Sequence, residues 1–277
     1  MGVPQIGSAR PAVPMKSARP FFCLVLLVSI VSVCHAQVAE RVVDIPTRPG
    51  VVQRIVCLTP SQPRAAVILF AGSHGGLQIS PQGIFIWGKG NFLVRSRQLF
   101  ADQGLAVAVV DSPSDRQRPP YLTGFRQTPE HVADIRAVIA WLREQTKVPV
   151  WLVGTSRGTE SAAFIATRLA GQEGPDGIVL TSTILADGGG RAVPDMDLGK
   201  LTIPVLVVHH EQDGCGLCQF RDMARLMDKL GTVPRKELLT FKGGLDYGNS
   251  CEAFAHHGFN GLEREAVGRI ARWILSE

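Results

Sequence analysis

Short apolar runs alternate with longer amphipathic segments along most of the chain, and no other feature of the sequence limits the possible folds as much. The apolar runs carry Val, Ile and Leu at consecutive positions, which indicates strands that are covered on both faces. Strands that alternate with helices are typical of βαβ units in a parallel sheet. We therefore expect an α/β protein with a mostly parallel central sheet and helices on both of its faces.

The alternation predicts seven strands and five helices. The strands are predicted at 53–58, 65–70, 105–110, 148–153, 177–181, 204–209 and 236–241. The helices are predicted at 91–103, 129–145, 156–170, 218–230 and 262–276. Gly104, Gly171 and Gly231 each follow a predicted helix, and glycine commonly ends helices. No internal repeat interrupts the alternation, so a single domain is expected.

The first 36 residues have the layout of a secretory signal peptide. An apolar run of 14 residues, from Phe21 to Cys34, follows a basic segment, and no acidic residue precedes Glu40. The run is shorter than the roughly 20 residues that span a bilayer, and Ala36 is a small residue suited to cleavage. We expect residues 1–36 to be removed and residues 37–277 to form one secreted or periplasmic domain with no membrane span. An uncleaved anchor is the alternative.

Most of the excess positive charge belongs to the segment that is expected to be removed. The chain carries 29 Lys and Arg against 24 Asp and Glu, a formal net charge of +5, and loss of Arg10, Lys16 and Arg19 lowers it to +2. No basic cluster with interleaved aromatic residues is left. Nucleic acid is therefore not an expected partner. With 45% hydrophobic residues, the chain can bury a large core.

The segment Gly154-Thr155-Ser156-Arg157-Gly158 lies between a predicted strand and a predicted helix. A Gly-x-Ser-x-Gly sequence in this context predicts a sharp turn that exposes the serine at the carboxyl edge of the sheet. A serine hydroxyl is a weak nucleophile at neutral pH, so it needs a base and a group that orients the base. Ser156 is therefore a candidate nucleophile.

Candidates for the acid and the base follow later in the chain. Asp213 comes just after a predicted strand, and His257 precedes the last helix, so the order is Ser, Asp, His. Asp187, which lies beyond the predicted strand at 177–181, is the alternative acid. His256 is the alternative base, since two adjacent histidines cannot both face Ser156. His74, His209 and His210 are interpreted as loop or strand-end residues.

These motifs together resemble the α/β-hydrolase family over nearly all of residues 37–277. The strand and loop at 67–76 resemble the family's early strand and oxyanion loop, although Ala71 stands where many members carry His. The segment His257-Gly258-Phe259, with Trp273 in the last helix, resembles the base segment. The resemblance implies the α/β-hydrolase fold and oxyanion donors at the backbone N–H groups of Ser73 and Arg157.

Cysteines at 57, 215, 218 and 251 lie in the part of the chain expected to be exported, where disulfides persist. The Cys215-Gly-Leu-Cys218 spacing suits a redox dithiol or half of a zinc site, but zinc needs two more ligands and no second pair is present. A bridge from Cys215 to Cys251 would link the segments that carry Asp213 and His257. Cys218 is the alternative partner, and Cys57 is expected to be unpaired.

The sequence thus predicts a secreted serine hydrolase that cleaves carboxylic esters of a small-molecule acyl substrate, with no cofactor and no metal. The loops 111–128 and 183–202 are too short for a large cap domain, so an open site is expected. Thioesters, lactones and peptides are alternative substrates. An inactive binding protein on the same fold and a thiol-based redox protein are the alternative functions.

Aromatic residues that could line a pocket or pack in the core are Phe85, Trp87, Phe92, Tyr121 and Phe125.

Overall fold

The chain divides into two units, Met1–His35 and Ala36–Glu277. The computed structural model describes residues 37–187 and 192–276, together with residues 1–5, 7, 9 and 12. The predicted signal peptide, residues 1–36, therefore lies almost entirely outside the described residues. None of the helices in the described ranges combines the length and the apolar character that a membrane crossing requires.

An eight-stranded sheet runs through the second unit. In chain order its strands are β1 (Glu40–Pro46), β2 (Val52–Leu58), β3 (Ala65–Phe70), β4 (Leu105–Val110), β5 (Val150–Thr155), β6 (Gly177–Thr181), β7 (Val205–His210) and β8 (Lys236–Phe241). Their order across the sheet is β1-β2-β4-β3-β5-β6-β7-β8. β2 pairs antiparallel with β1 and β4, and all other neighbours are parallel. The mostly parallel sheet is confirmed.

Helices cover both faces of the sheet. They are α1 (Phe92–Arg95), α2 (Arg97–Asp102), α3 (Pro129–Thr146), α4 (Gly158–Ala166), α5 (Met223–Lys229) and α6 (Glu263–Leu275). α3, α4 and α5 bury apolar residues against one face, and α1, α2 and α6 do so against the other. In β3 the alternation is direct, because Ile68 faces the first core and Val67 and Leu69 face the second. The described segments between the strands contain no separate cap domain.

The predicted elements differ from the observed ones mainly at the margins. Strands 65–70, 105–110, 177–181 and 236–241 have the predicted bounds, but β1 was not predicted. β1 pairs only with β2, and exposed charged residues such as Glu40 and Arg41 remove the continuous apolar pattern of the central strands. The predicted helix 91–103 is divided at Ser96 into α1 and α2.

The parallel strands bring the predicted site residues to one edge of the sheet. Phe70 lies beside Gly154 in the register of β3 and β5, so the loops that follow these two strands start next to each other. The loops after β6, β7 and β8 leave the sheet at the same edge, because these strands run parallel to β5. Ligand sites in open α/β sheets are commonly located at this edge.

Candidate active site

Ser156 occupies a sharp turn between β5 and α4. Its φ is +51°, in the left-handed region that side chains rarely adopt. Its backbone N–H donates to the carbonyl oxygen of Thr181, at 3.0 Å, and its carbonyl accepts from the Thr159 hydroxyl at 2.6 Å. These bonds at both ends of the turn hold a conformation that a free chain would avoid.

Close backbone contacts explain the two glycines around Ser156. A Cβ atom at Gly154 would overlap the carbonyl of Gly158, and a Cβ at Gly158 would overlap the carbonyl of Phe70 at the end of β3. Any larger residue would push α4 away from the sheet. The Gly-x-Ser-x-Gly pattern is therefore a packing requirement of this turn as well as a motif.

Asp213 and His257 are joined by a buried hydrogen bond. His257 Nδ1 lies 2.8 Å from Asp213 Oδ2, and the side chains have 5% and 0% of their surface exposed. The other carboxylate oxygen, Oδ1, accepts from the backbone N–H of Cys215 at 2.9 Å. A carboxylate at Nδ1 favours a proton on that nitrogen, which leaves Nε2 as the acceptor. In the described part of the chain Nε2 is buried and has no hydrogen-bond partner.

The loop that carries His257 is anchored from two directions. The Ser182 hydroxyl donates to the carbonyl oxygen of His257 at 2.6 Å, which ties this loop to the end of β6. The disulfide Cys215–Cys251 joins it to the loop of Asp213, with 4.5 Å between the two Cα atoms. The bridge therefore lies where the sequence analysis proposed it.

The alternative acid and base have other partners. His256 stacks on His210, with ring centroids 4.3 Å apart, and its ring does not line the cavity that His257 faces. Asp187 accepts two hydrogen bonds from Arg157, at 2.9 and 3.3 Å. The structure thus brings Asp213 to His257, and it brings Asp187 to Arg157.

Arg157 lies between two carboxylates behind the turn of Ser156. It also donates to Glu160 at 2.8 Å, and its hydrogen bond to Asp187 is the main reason that its pKa is raised. Burial raises the pKa of Glu160, against the lowering effect of the nearby Arg126 and Arg157. The pairing directs the Arg157 side chain toward these acids.

The two predicted oxyanion donors lie on either side of Ser156. Ser73 follows β3 with a φ of +51°, and a Cβ at the preceding Gly72 would lie 3.0 Å from the Cβ of Ser156. Arg157 is the N-cap of α4, where the helix dipole favours negative charge. Within the described ranges, the backbone N–H groups of Ser73 and Arg157 donate to no protein acceptor. Both groups are therefore available to a ligand.

Ser156, His257 and Ser73 line one cavity of about 260 Å³. Trp87, Phe92 and Phe254 form its apolar walls, and its other polar lining residues include Asn91 and Glu252. Of the described lining residues, none is a Lys or an Arg. The cavity is thus small, with three aromatic side chains in its wall and no Lys or Arg among its described lining residues.

The candidate aromatic residues divide between the cavity and the rest of the fold. Phe85 and Phe125 are buried away from the cavity, and Tyr121 stacks on His74 at 4.5 Å between ring centroids. Phe254 was missed by the sequence analysis. It is half exposed, and its position three residues before His257 is the one signal that could have indicated it.

The cysteine cluster offers too few donors for a metal ion. Ligand atoms of Cys215, Cys218 and His257 lie within 4.8 Å of one another. The Cys215 sulfur is bonded to Cys251, however, and a disulfide sulfur is not a thiolate ligand. In this cluster, as far as the described residues show, two donors remain, and zinc sites use at least three protein ligands. Within the described part of the chain, Cys57 and Cys218 are free thiols and both are buried, and burial raises the pKa of the Cys218 thiol.

The strand-end histidines have structural hydrogen bonds. His209 Nε2 lies 2.7 Å from the carbonyl oxygen of Cys218, and His210 Nε2 lies 2.9 Å from that of Gly243. Burial lowers the pKa of both imidazoles. Both residues end β7 and fix the start of the loop that carries Asp213.

Comparison with solved structures identifies the fold. The chain is 17% identical to a dienelactone hydrolase from Anabaena variabilis, with a TM-score of 0.56 over 87% of this chain and 96% of the other. It is 11% identical to an esterase of Pyrococcus furiosus, with a TM-score of 0.62 over 86% and 91% of the two chains. A serine hydrolase without a lid from Xanthomonas campestris is 16% identical, with a TM-score of 0.54 over 84% and 95%.

No protein-family model matches the chain, and no curated protein sequence matches it. The similarity to solved structures is therefore a similarity of fold, since the sequence identities are low. The chain has the α/β-hydrolase fold, as its motifs predict.

Proposed function

We propose that this protein is a serine hydrolase that cleaves carboxylic esters with small, uncharged acyl groups. One observation carries the proposal. The imidazole of His257, which is fixed by the buried carboxylate of Asp213, lines the same cavity as Ser156. Dienelactone hydrolases and esterases among the structural neighbours support this class of reaction.

In the proposed mechanism, Ser156 Oγ attacks the ester carbonyl carbon while His257 Nε2 takes the hydroxyl proton. The tetrahedral intermediate places its negative oxygen at the N–H groups of Ser73 and Arg157. Collapse breaks the bond to the alcohol, which leaves with the proton from His257, and an acyl group stays on Ser156. Water then attacks the acyl-enzyme with the same base, which releases the carboxylic acid and restores the serine.

The cavity supports the choice of substrate. A volume of about 260 Å³ lies below the range of pockets that hold drug-sized ligands, so the acyl group is expected to be small. Trp87 and Phe254 offer apolar contact, and Glu252 is the charged side chain in the lining. Arg95 lies behind the wall, where it donates to the carbonyl oxygens of Gly90 and Gly258, but in the described residues no Lys or Arg lines the cavity itself. An anionic acyl group would therefore meet the Glu252 carboxylate first, so a neutral group is favoured.

Export from the cytoplasm is part of the proposal. It is supported by the signal-peptide layout of residues 1–36 and by the Cys215–Cys251 disulfide, since such bonds persist in oxidising compartments. In the proposed mature form, residues 37–277 act as one domain.

One observation favours the alternative, an inactive binding protein on the same fold. Within the described part of the chain, the Ser156 hydroxyl makes no hydrogen bond to His257 Nε2. In enzymes without substrate this bond is often long and tightens when substrate binds. Turnover of an ester distinguishes the two functions, because a binding protein would hydrolyse none.

The test is hydrolysis of 4-nitrophenyl esters of increasing acyl length by the mature wild-type chain and by Ser156→Ala. We expect wild-type turnover that is highest for short neutral acyl groups, and a loss of about 10⁴–10⁶-fold in Ser156→Ala. Circular dichroism checks that the variant is folded. A folded variant that keeps more than a few percent of the wild-type rate would contradict the assignment of the nucleophile.

A further inference from the structure

Arg126 is a buried arginine beside the candidate oxyanion loop, residues 71–76. Its side chain lies in the loop between β4 and α3, and the residue is 2% exposed. Nη2 donates to the carbonyl oxygens of Ala71 and Ser73, at 2.9 and 3.2 Å. Nη1 donates to the hydroxyl of Ser161 in α4, at 2.9 Å. One guanidinium therefore links the oxyanion loop to the helix that follows Ser156.

The carbonyl groups of Ala71 and Ser73 belong to two peptide groups that flank a third, the peptide group that joins Gly72 to Ser73. The Ala71 carbonyl is in the peptide before Gly72–Ser73, and the Ser73 carbonyl is in the peptide after it. The peptide between them carries the Ser73 N–H, the proposed oxyanion donor. Because both flanking carbonyls are held by the same nitrogen, the direction of the Ser73 N–H is restricted, although Ser73 has an unfavourable φ of +51°.

The loop is shaped to admit the guanidinium. Gly75, with a φ of +71°, lies against this side chain: a Cβ there would lie 2.5 Å from Arg126 Nη2, so a larger residue would displace the guanidinium. On its other side, Ser161 is fixed by a 3.0 Å hydrogen bond to His131 Nε2. Burial, and then the charge of Arg126, lower the pKa of His131 to about 3, so the imidazole is neutral and adds no second cation.

Stability alone does not explain a buried guanidinium in this place. Among the described residues, no carboxylate forms an ion pair or hydrogen bond with Arg126, and its Nε is buried without a partner. Burial lowers its pKa to about 10, against the raising effect of the nearby Glu160 carboxylate, and this value still leaves it charged at neutral pH. Placing a cation in the interior without an ion-pair partner is costly. The buried cation therefore indicates a role other than stability, and its contacts are with the loop beside Ser156.

We propose that Arg126 is a positioning residue that holds the Ser73 N–H toward the oxyanion, an inference that rests on the proposed esterase function. Arg126 does not line the cavity, so it acts on the transition state through the loop and not by contact with the substrate. Its loss lowers kcat and leaves KM nearly unchanged, because an oxyanion donor acts mainly in the transition state.

The experiment compares wild type with Arg126→Gln and Arg126→Lys in kcat, in KM and in the inhibition constant of a neutral alkyl boronic acid, which forms a tetrahedral adduct with an active-site serine. We expect Arg126→Gln to lose about 10²–10³-fold in kcat, as for removal of one oxyanion donor, with a similar loss in boronate affinity. KM should change less than about threefold, since the cavity lining is intact. Arg126→Lys keeps a charged nitrogen that can donate twice, so it should recover part of the rate.

Arg143→Gln is the matched control. Arg143 also donates to backbone carbonyls, those of Gly171 and Gln172, but in the loop that enters β6 at the opposite edge of the sheet. This variant should lose thermal stability and keep wild-type kcat and boronate affinity. If Arg126→Gln does not fold, Ser161→Ala replaces it, because it removes the anchor of Nη1 and should lower kcat severalfold at constant KM.

The outcomes separate this inference from the proposed function. An active wild type whose folded Arg126→Gln keeps its kcat and boronate affinity would overturn the role of Arg126 alone. An Arg126→Gln variant that loses only thermal stability, or that raises KM at constant kcat, would also overturn the role of Arg126. If Arg126→Gln does not fold, an unchanged kcat in Ser161→Ala would overturn the role of Arg126. A wild type with neither ester turnover nor boronate binding would overturn both proposals.

Discussion

The two sides of the candidate active site are held in place by different means. On the acid–base side, Asp213 and His257 lie on loops that follow β7 and β8, and the Cys215–Cys251 disulfide joins these loops. On the nucleophile side, Ser156 follows β5 and the candidate oxyanion loop follows β3, and no disulfide links them in the described structure. Close backbone contacts and Arg126 hold this side together.

The position of each side in the sheet explains the difference. β3 and β5 are adjacent central strands, and their register sets the distance between their loops. β8 is at the edge of the sheet, and the loop after it carries exposed residues such as Tyr247 and Phe254. A loop with little burial has low local stability, so a covalent link is of most use there. The acid–base side should therefore be sensitive to reduction, whereas the nucleophile side should not.

The largest expected effect on the acid–base side is that of the imidazole itself. His257→Ala removes the proposed base and should lower ester turnover by about 10⁴–10⁶-fold, because triad members act as a unit. His256→Ala is the matched control. Its ring stacks on His210 outside the cavity, so kcat should stay within severalfold of the wild type. Steady-state kinetics on both folded variants checks this, and a reversed result would assign the base to His256.

The acid should show the next largest effect. Asp213→Asn keeps the shape of the side chain but favours the wrong tautomer of His257, and it should cost about 10⁴-fold in kcat. Asp187→Asn instead weakens the pairing with Arg157, so it should lower turnover far less. Thermal melts of both variants separate folding from catalysis. A nearly normal Asp213→Asn together with an inactive Asp187→Asn would move the acid to Asp187.

Loss of the disulfide should have the smallest effect on turnover. The bridge closes 36 residues, so the chain-entropy model gives roughly 3–4 kcal/mol of stabilisation. The double variant Cys215→Ser, Cys251→Ser should melt at a lower temperature and lose severalfold in kcat while it is still folded, because the Asp213 and His257 loops become looser. Reduction of the wild type should give the same change.

The control for this prediction is Cys57→Ser, which removes a buried free thiol in β2, far along the sheet from β7 and β8. Reduction should change the kcat of Cys57→Ser by the same factor as it changes the kcat of the wild type. A non-reduced digest analysed by mass spectrometry should contain the Cys215–Cys251 peptide pair. A Cys215–Cys218 pair in exported protein would contradict the account of this side.

The central strands were predicted well because each is determined by a local sequence pattern. Strands such as 65–70 and 105–110 are continuous apolar runs, and such runs form strands covered on both faces. β1 could not be predicted in this way, since an edge strand with exposed charges has no such run. Ser156 was identifiable because Gly154 and Gly158 are needed by the turn itself.

Residues whose role depends on distant contacts were not predictable. Arg126 lies in a loop with two other arginines, Arg116 and Arg118, and nothing in the local pattern distinguishes it from them. Its proposed role rests on contacts with Ala71 and Ser73, more than fifty residues earlier in the chain. Phe254 likewise gains a place in the cavity wall only when its loop packs against the loop of Gly90. Packing of this kind is decided by the tertiary structure.

The central claim is that Ser156 is a nucleophile activated by His257, and covalent labelling tests it most directly. The chain of residues 37–277, the proposed mature form, is treated with a fluorophosphonate probe, and intact mass and peptide mapping locate the adduct. The account predicts one adduct per chain, on Ser156, absent in Ser156→Ala and formed far more slowly in His257→Ala. A folded wild-type chain that takes up no probe, or that carries the adduct on another residue, would contradict the account.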